Sequence, residues 1–223
     1  MVAYQKSQIS LHILQKAKRL NTNPLVDFIG NFVNGMKSYL TLSNGQEIKS
    51  PEFFKQNLKL IQTLNKSFSK KKKGSNNKRI ALKKLQKVHN DVFNKRTDFE
   101  WKLAHELCKN NSFIAIEDLN IEAMKKLWGR KISDLSFSSF VNKLEQVALK
   151  YNTIIQKVDR YYASSKTCSC GIKNKELKLS DREWACSSCG TVHQRDFLAS
   201  NNILTEGIRL YRTKHKTDIV SAV

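Results

Sequence analysis

Two groups of residues in this 223-residue chain have the types and spacing to do chemistry. The first lies in Ser164 to Leu204, which holds four of the five cysteines. They read Cys168-x-Cys170, then fifteen residues, then Cys186-x-x-Cys189, with a glycine after each pair. Two separated cysteine pairs, each closing a tight turn, outline a zinc ribbon in which four thiolates surround one metal. The second group is the run Phe113-Ile-Ala-Ile followed by Glu117 and Asp118. An apolar strand ending in carboxylates is a rigid mount for catalytic acids. The same residues also fit a plain capping acid, or the start of a turn into a helix over Glu122 to Leu127. Asp196 heads a further helical pattern just after the ribbon. Cys108 stands apart on a helix face and reads as a buried apolar side chain.

The elements that would hold these groups follow from periodicity. Ile9 to Leu20 fits a short amphipathic helix. Phe28 to Val33 is apolar enough for a strand, and Asn34-Gly35 is a hairpin signal. Ser38 to Leu42 and Gln46 to Lys49 extend the meander around Ser43-Asn44-Gly45. Pro51 opens a helix to about Phe68 with Phe54, Leu58, Ile61 and Leu64 on one stripe. A longer helix spans Lys78 to Lys109, with Leu82, Leu85, Val88, Val92, Phe99, Leu103 and Leu107 at helical spacing. Phe113 to Asp118 is a strand, Ser136 to Tyr151 a helix, Thr153 to Val158 a strand, and Phe197 to Leu204 a helix. Thr205 to Val223 reads as a loosely held tail. This order predicts an α/β chain of ribonuclease H-like type, with a basic helical hairpin and a zinc ribbon inserted in it.

Forty Lys and Arg against nineteen Asp and Glu give a formal charge of +21. Such an excess predicts a polyanionic partner, nucleic acid above all. Between Lys49 and Lys109 the chain carries seventeen cations and five acids, a net +12. The charge peaks at an apolar-free loop containing Lys70, Lys71, Lys72 and Lys73, followed by Lys78 and Arg79. These six residues are the candidate nucleic-acid contacts. The first residues lack the apolar core of a secretory signal, and no segment is apolar enough to span a bilayer. The expected location is cytoplasmic, associated with the nucleoid. A reducing compartment favours metal over disulfides for clustered cysteines.

Three phrases resemble the TnpB family, the OrfB-type proteins of IS605-type transposons. They are FIAIEDLNIEAM over Phe113–Met124, SSKTCSCG over Ser164–Gly171 and SDREWACSSCGTVHQRD over Ser180–Asp196. The segments Lys37–Phe54 and Ser67–Asn77 are similar to the family's as well, so the likeness covers roughly residues 30 to 204. It implies a RuvC-like nuclease domain, kinship with compact type V CRISPR effectors, and RNA-guided cleavage of DNA. In that chemistry three carboxylates hold two divalent metals such as magnesium. The resemblance implies Glu117 as the second acid and Asp196 as the third. The first belongs to a phrase G-I-D-x-G, which falls without gaps on Asn31 to Gly35 and puts Val33 at the aspartate.

Val33 cannot ligate a metal, so the expectation is a truncated, degenerate copy with nuclease activity lost or impaired that still binds DNA and a guide RNA. Two alternatives stand beside it. Asp27 could complete an active site, at the expense of about six extra residues between strands, or the chain could bind nucleic acid without a guide. Other departures point the same way. Cys168-Ser169-Cys170 is one residue shorter than the family's first pair, which predicts a strained knuckle and leaves zinc affinity open. Leu198 stands where the family has asparagine. The predicted organisation is an unmatched segment over 1–24, RuvC-like parts over 25–163 and 193–204, the ribbon over 164–192 and a tail over 205–223.

Overall fold

A computed structural model describes residues 26–28, 38–129, 135–178 and 180–220. The expected helix over Ile9 to Leu20, the Asn34-Gly35 turn and Val33 lie outside the described residues.

The centre is the apolar run Phe113-Ile-Ala-Ile. A strand apolar at every position must be covered on both faces, and β4 (Phe113–Glu117) is the middle strand of a three-stranded parallel sheet. On one side it pairs with β1 (Val26–Phe28), on the other with β5 (Ile154–Val158). β1 shares Phe28 with the expected first strand, whose other residues lie outside the described ones. β2 (Ser38–Thr41) and β3 (Glu47–Lys49) form a separate antiparallel ladder around the turn at Gly45, whose φ is +85°. The helices are α1 (Phe53–Ser69), α2 (Asn76–Asn110), α3 (Ile121–Trp128), α4 (Phe137–Tyr151) and α5 (Arg195–Val220).

Strand alternation divides the core in two. Ile114 and Ile116 pack with Leu103 and Leu107 of α2, Phe137, Phe140 and Leu144 of α4, and Tyr39, Leu40 and Leu42 around β2. Phe113 and Ala115 point to the other face and meet Ala199 and Ile203 of α5. The result is a helix–sheet–helix sandwich. Cys108 is buried as expected, and burial pushes its thiol up to about 11.

α1 and α2 form the basic hairpin. Ser75 caps α2, its hydroxyl accepting from the Lys78 N–H at 3.2 Å, and Gly74 at φ +82° turns the chain before it. Among the described residues only α1 covers the first half of α2, and the buried row there is one residue wide, Leu85 and Val92. Leu82, expected on the apolar stripe, falls beside that row and is 37% exposed. Further along, Glu100 is buried between α2 and α4. Its Oε2 accepts from Lys143 Nζ at 2.7 Å and Ser139 Oγ at 2.9 Å. Removing Lys143 alone would leave a buried charge without its cation, the costly way to break such a pair.

The C-terminal tail is corrected by the structure. The helix that starts at Arg195 does not end near Leu204 but runs to Val220. Ile208 and Tyr211 pack against the second core cluster, and the Tyr211 ring lies edge-on to Phe113 at 5.6 Å. Gly207 is the close-approach point. A Cβ there would sit 2.7 Å from Ala115 Cβ, so only glycine lets the helix lie this near the sheet.

Candidate functional site

All three strands of the central sheet run the same way, so their carboxyl ends share one edge, the usual place for a ligand site in such sheets. β4 reaches that edge at Glu117, which pairs with Val158 of β5. The Asp118 N–H continues the ladder to Val158 O at 2.9 Å. Asp118 turns outward and forms an ion pair with Arg160, a partner the sequence did not suggest. Glu117 is half-buried. Burial, and after it the negative charge of Asp118, pushes its carboxyl up to about 7. A cleft of about 180 Å³ opens beside Glu117 and Asp118, lined also by Leu119, Ile121 and Lys157.

Asp196 stands in the first turn of α5. Tyr211 lies on Phe113 and Gly207 on Ala115, so α5 runs antiparallel to β4 and its first turn points to the end where Glu117 sits. Asp196 is buried in that first turn, where the helix dipole favours a negative charge. Arg195 Nε is 3.4 Å from its Oδ1. β1 carries Asp27, whose backbone pairs with Ala115, two positions before Glu117.

The raised Glu117 carboxyl has a consequence for stability. Its native value of about 7 lies above the ordinary 4.5. Below pH ~4.5 both folded and unfolded forms are protonated and nothing is lost. Between there and about 7 the unfolded chain gives up the proton first, so stability falls as pH rises. In the metal-free protein, Glu117→Gln should therefore raise unfolding free energy by roughly 1–3 kcal/mol at pH 8 and leave it unchanged at pH 4. Thermal denaturation at both pH values reads this, and an equal gain at both would mean that burial of charge is not the cause.

The four ribbon cysteines converge. The Sγ atoms of Cys168, Cys170, Cys186 and Cys189 all lie within 4.8 Å of one another. Cys168 and Cys189 are 3.6 Å apart, as are Cys170 and Cys186. A tetrahedral zinc with Zn–S bonds of ~2.3 Å needs sulfurs about 3.8 Å apart, so the cluster fits that metal. The one-residue-shorter knuckle does not prevent closure. In the second knuckle the Gly190 N–H donates to Cys186 O at 2.9 Å, four residues back; in the first the Gly171 N–H donates to Cys168 O at 2.9 Å, three back. Both glycines have positive φ, +72° and +89°. The deletion is absorbed by a tighter turn.

The second knuckle favours thiolates. Cys189 is lowered to about 6 by the Thr191 hydroxyl and then the Thr191 N–H, and Cys186 is lowered by the N–H groups of Cys189 and Ser188. His193 Nε2 lies 3.0 Å from Cys168 Sγ, and its ring is 4.9 Å from that of Trp184. Asn202 of α5 fastens the ribbon to the sandwich by donating to Ser164 O and Thr167 O, both at 2.7 Å. Neither His193 nor Asn202 was evident from the sequence, because a lone His or Asn has no spacing partner to single it out. Leu198 packs into the ribbon's own small core with Leu177 and Trp184.

The hairpin carries the charge. From Phe53 to Asn90 there are twelve Lys and Arg and no acid. Lys70 to Lys73 and Arg79 are exposed at the tip, and Lys78 Nζ sits 4.9 Å over the Phe68 ring. The tip is the far end of the hairpin from the sandwich, so these six residues do not join the Glu117 edge.

No helix among the described residues is long and apolar enough to cross a membrane. Two family profiles match in succession, one described as "Probable transposase" (OrfB_IS605) over residues 34–127 and one as "Cas12f1-like, TNB domain" over 137–203. A "Putative RNA-guided DNA endonuclease" of Streptomyces pristinaespiralis is 35% identical over 177 residues, 78% of this chain and 44% of that protein. "TnpB-like protein L79" of Acanthamoeba polyphaga mimivirus is 31% identical over 192 residues, 78% of this chain and 36% of the relative. InsQ of Escherichia coli, named "Putative RNA-guided DNA endonuclease", is 28% identical over 78% of this chain and 47% of its own length. The chain thus spans less than half the length of these relatives. Among solved structures, a Cas12f1–sgRNA–target DNA complex matches at 20% identity and TM-score 0.54, covering 81% of this chain and 49% of that one. A CRISPR-Cas12f ternary complex matches at TM-score 0.56 and 20% identity over 82% and 40%. These two share the mixed α/β fold. The matched profiles and relatives place the chain in the TnpB family.

Proposed function

We propose that this chain is a DNA-binding protein that acts with a guide RNA, and that its ribonuclease H-like (RuvC-like) nuclease centre is impaired. The observation that carries the binding half is the acid-free stretch of the hairpin from Phe53 to Asn90, with its cluster of exposed lysines. It is mounted on a fold like that of proteins solved with guide RNA and target DNA. Lys70, Lys71, Lys72, Lys73, Lys78 and Arg79 meet phosphate in this reading. A zinc ion sits between Cys168, Cys170, Cys186 and Cys189 and holds the ribbon.

In the nuclease centre Glu117 and Asp196 are the surviving acids. Their oxygens suit hard divalent ions such as magnesium, which supply an activated water and leaving-group stabilisation when bound. Val33 stands at the position of the first acid by family spacing. Asp27 is the acid on the strand beside β4, but its register is two residues short of Glu117. The impaired reading rests on the valine at position 33.

The deciding experiment is to purify the protein from its host and sequence the RNA that comes with it. One discrete RNA species is expected. Bulk cellular RNA in proportion to abundance would replace the guided reading with generic nucleic-acid binding.

A further inference from the structure

Tyr161 is the most exposed of the large hydrophobic side chains, at 88%. An aromatic ring left in water is unremarkable on a mobile loop, but this one is held. Asp159 Oδ1 accepts from the Tyr161 N–H at 2.7 Å, and Asp159 O accepts from the Tyr162 N–H at 3.0 Å. Tyr162 turns inward against the cluster of Phe113, Val158 and Ile203. The Ser164 N–H closes the turn onto Tyr162 O at 2.8 Å. With Tyr162 packed inward, Tyr161 is presented outward by a turn that leaves its backbone little freedom. The preceding residue, Arg160, is tied to Asp118, the neighbour of Glu117. Tyr161 therefore follows the carboxyl end of β5 by three residues, directly after the arginine that pairs with Asp118.

We propose that Tyr161 is a stacking platform for an unpaired base. This rests on the proposed reading that the chain binds nucleic acid, and it assigns one side chain that meets a base rather than a phosphate. A base offers a flat face of matching size whatever its identity, so stacking is tolerant of sequence. A paired base inside a duplex exposes no such face. The chain's overall surplus of +21 draws in the backbone, and the ring engages what the charge cannot distinguish, the base itself.

The test compares two probes of equal length and charge, a 20-nucleotide single-stranded oligothymidine and the same backbone made wholly abasic. Binding to the purified full chain is read by fluorescence anisotropy. The wild type is expected to prefer the base-bearing strand. Tyr161→Ala should weaken that strand about tenfold and leave the abasic one unchanged. Tyr161→Phe should retain the preference. Leu149→Ala, which removes another apolar side chain that is 82% exposed, should change neither. If Tyr161→Ala weakens both probes equally, or neither, the platform is refuted while nucleic-acid binding stands. If the wild type binds neither probe, the binding reading falls and the platform with it.

Discussion

Stripping the metal from the four-cysteine cluster should unfold the ribbon over 164–194 and leave the sandwich folded. The ribbon's own core is five side chains, Cys168, Leu177, Trp184, Cys186 and Leu198, and two of them are ligands. Its strands are two three-residue segments, β6 (Glu183–Ala185) and β7 (Val192–Gln194). So little apolar surface cannot offset the ordering of some thirty residues, and metal binding becomes folding free energy, as in small zinc modules. The two clusters of the sandwich contain no ribbon residue, so they have no reason to fail with it. Trp184, buried against His193, is the reporter. A strong chelator should shift its emission to the red and zinc should restore it. Cys186→Ser should give the shifted spectrum without chelator. Zinc content near one per chain is expected. A folded ribbon with no metal would mean that the cysteines act only as core.

The second large effect belongs to the hairpin tip. Replacing Lys70, Lys71, Lys72 and Lys73 together by alanine should leave the fold intact, since all four are exposed. Each phosphate contact contributes about 0.9 to the slope of log affinity against log salt on duplex DNA, and about 0.7 on a single strand. Four contacts correspond to a slope of about 3–4. Between 50 and 200 mM salt the wild type should then lose affinity about a hundredfold more than the variant. Arginine at the same four places should restore the steep slope. Parallel salt plots for wild type and alanine variant would show that the tip does not meet phosphate.

How far the sequence could be read depended on how local the determining contact was. β4 was legible to within one residue, because an uninterrupted apolar run ending in two acids has few other meanings. α1, α2 and α4 were legible to within two residues for a similar reason. The stretch after Leu204 was misread. Its burial depends on Gly207, which in a sequence resembles a helix breaker and in the fold is the contact that lets α5 touch Ala115. Glu100 was hidden in the same way. A carboxylate in a charge-rich helix reads as solvated until its partners Lys143 and Ser139, some forty residues on, come beside it. Of the site, the cysteine quartet was legible from spacing and convergence follows from it. Glu117 was legible as an acid at a strand end, but its raised carboxyl depends on packing that no spacing reveals. Arg160 and the outward turn of Tyr161 became visible only once β4 and β5 were side by side.

The two knuckles differ in length and agree in their closing glycine. Gly171 and Gly190 each follow the second cysteine of a pair with a left-handed backbone. A search pattern that counts residues between cysteines would pass over Cys168 and Cys170, although their sulfurs belong to one cluster. A pattern keyed to cysteine followed by glycine would keep both. A side chain at Gly171 would have open space around it, so its whole cost would fall on the left-handed backbone that turns the knuckle.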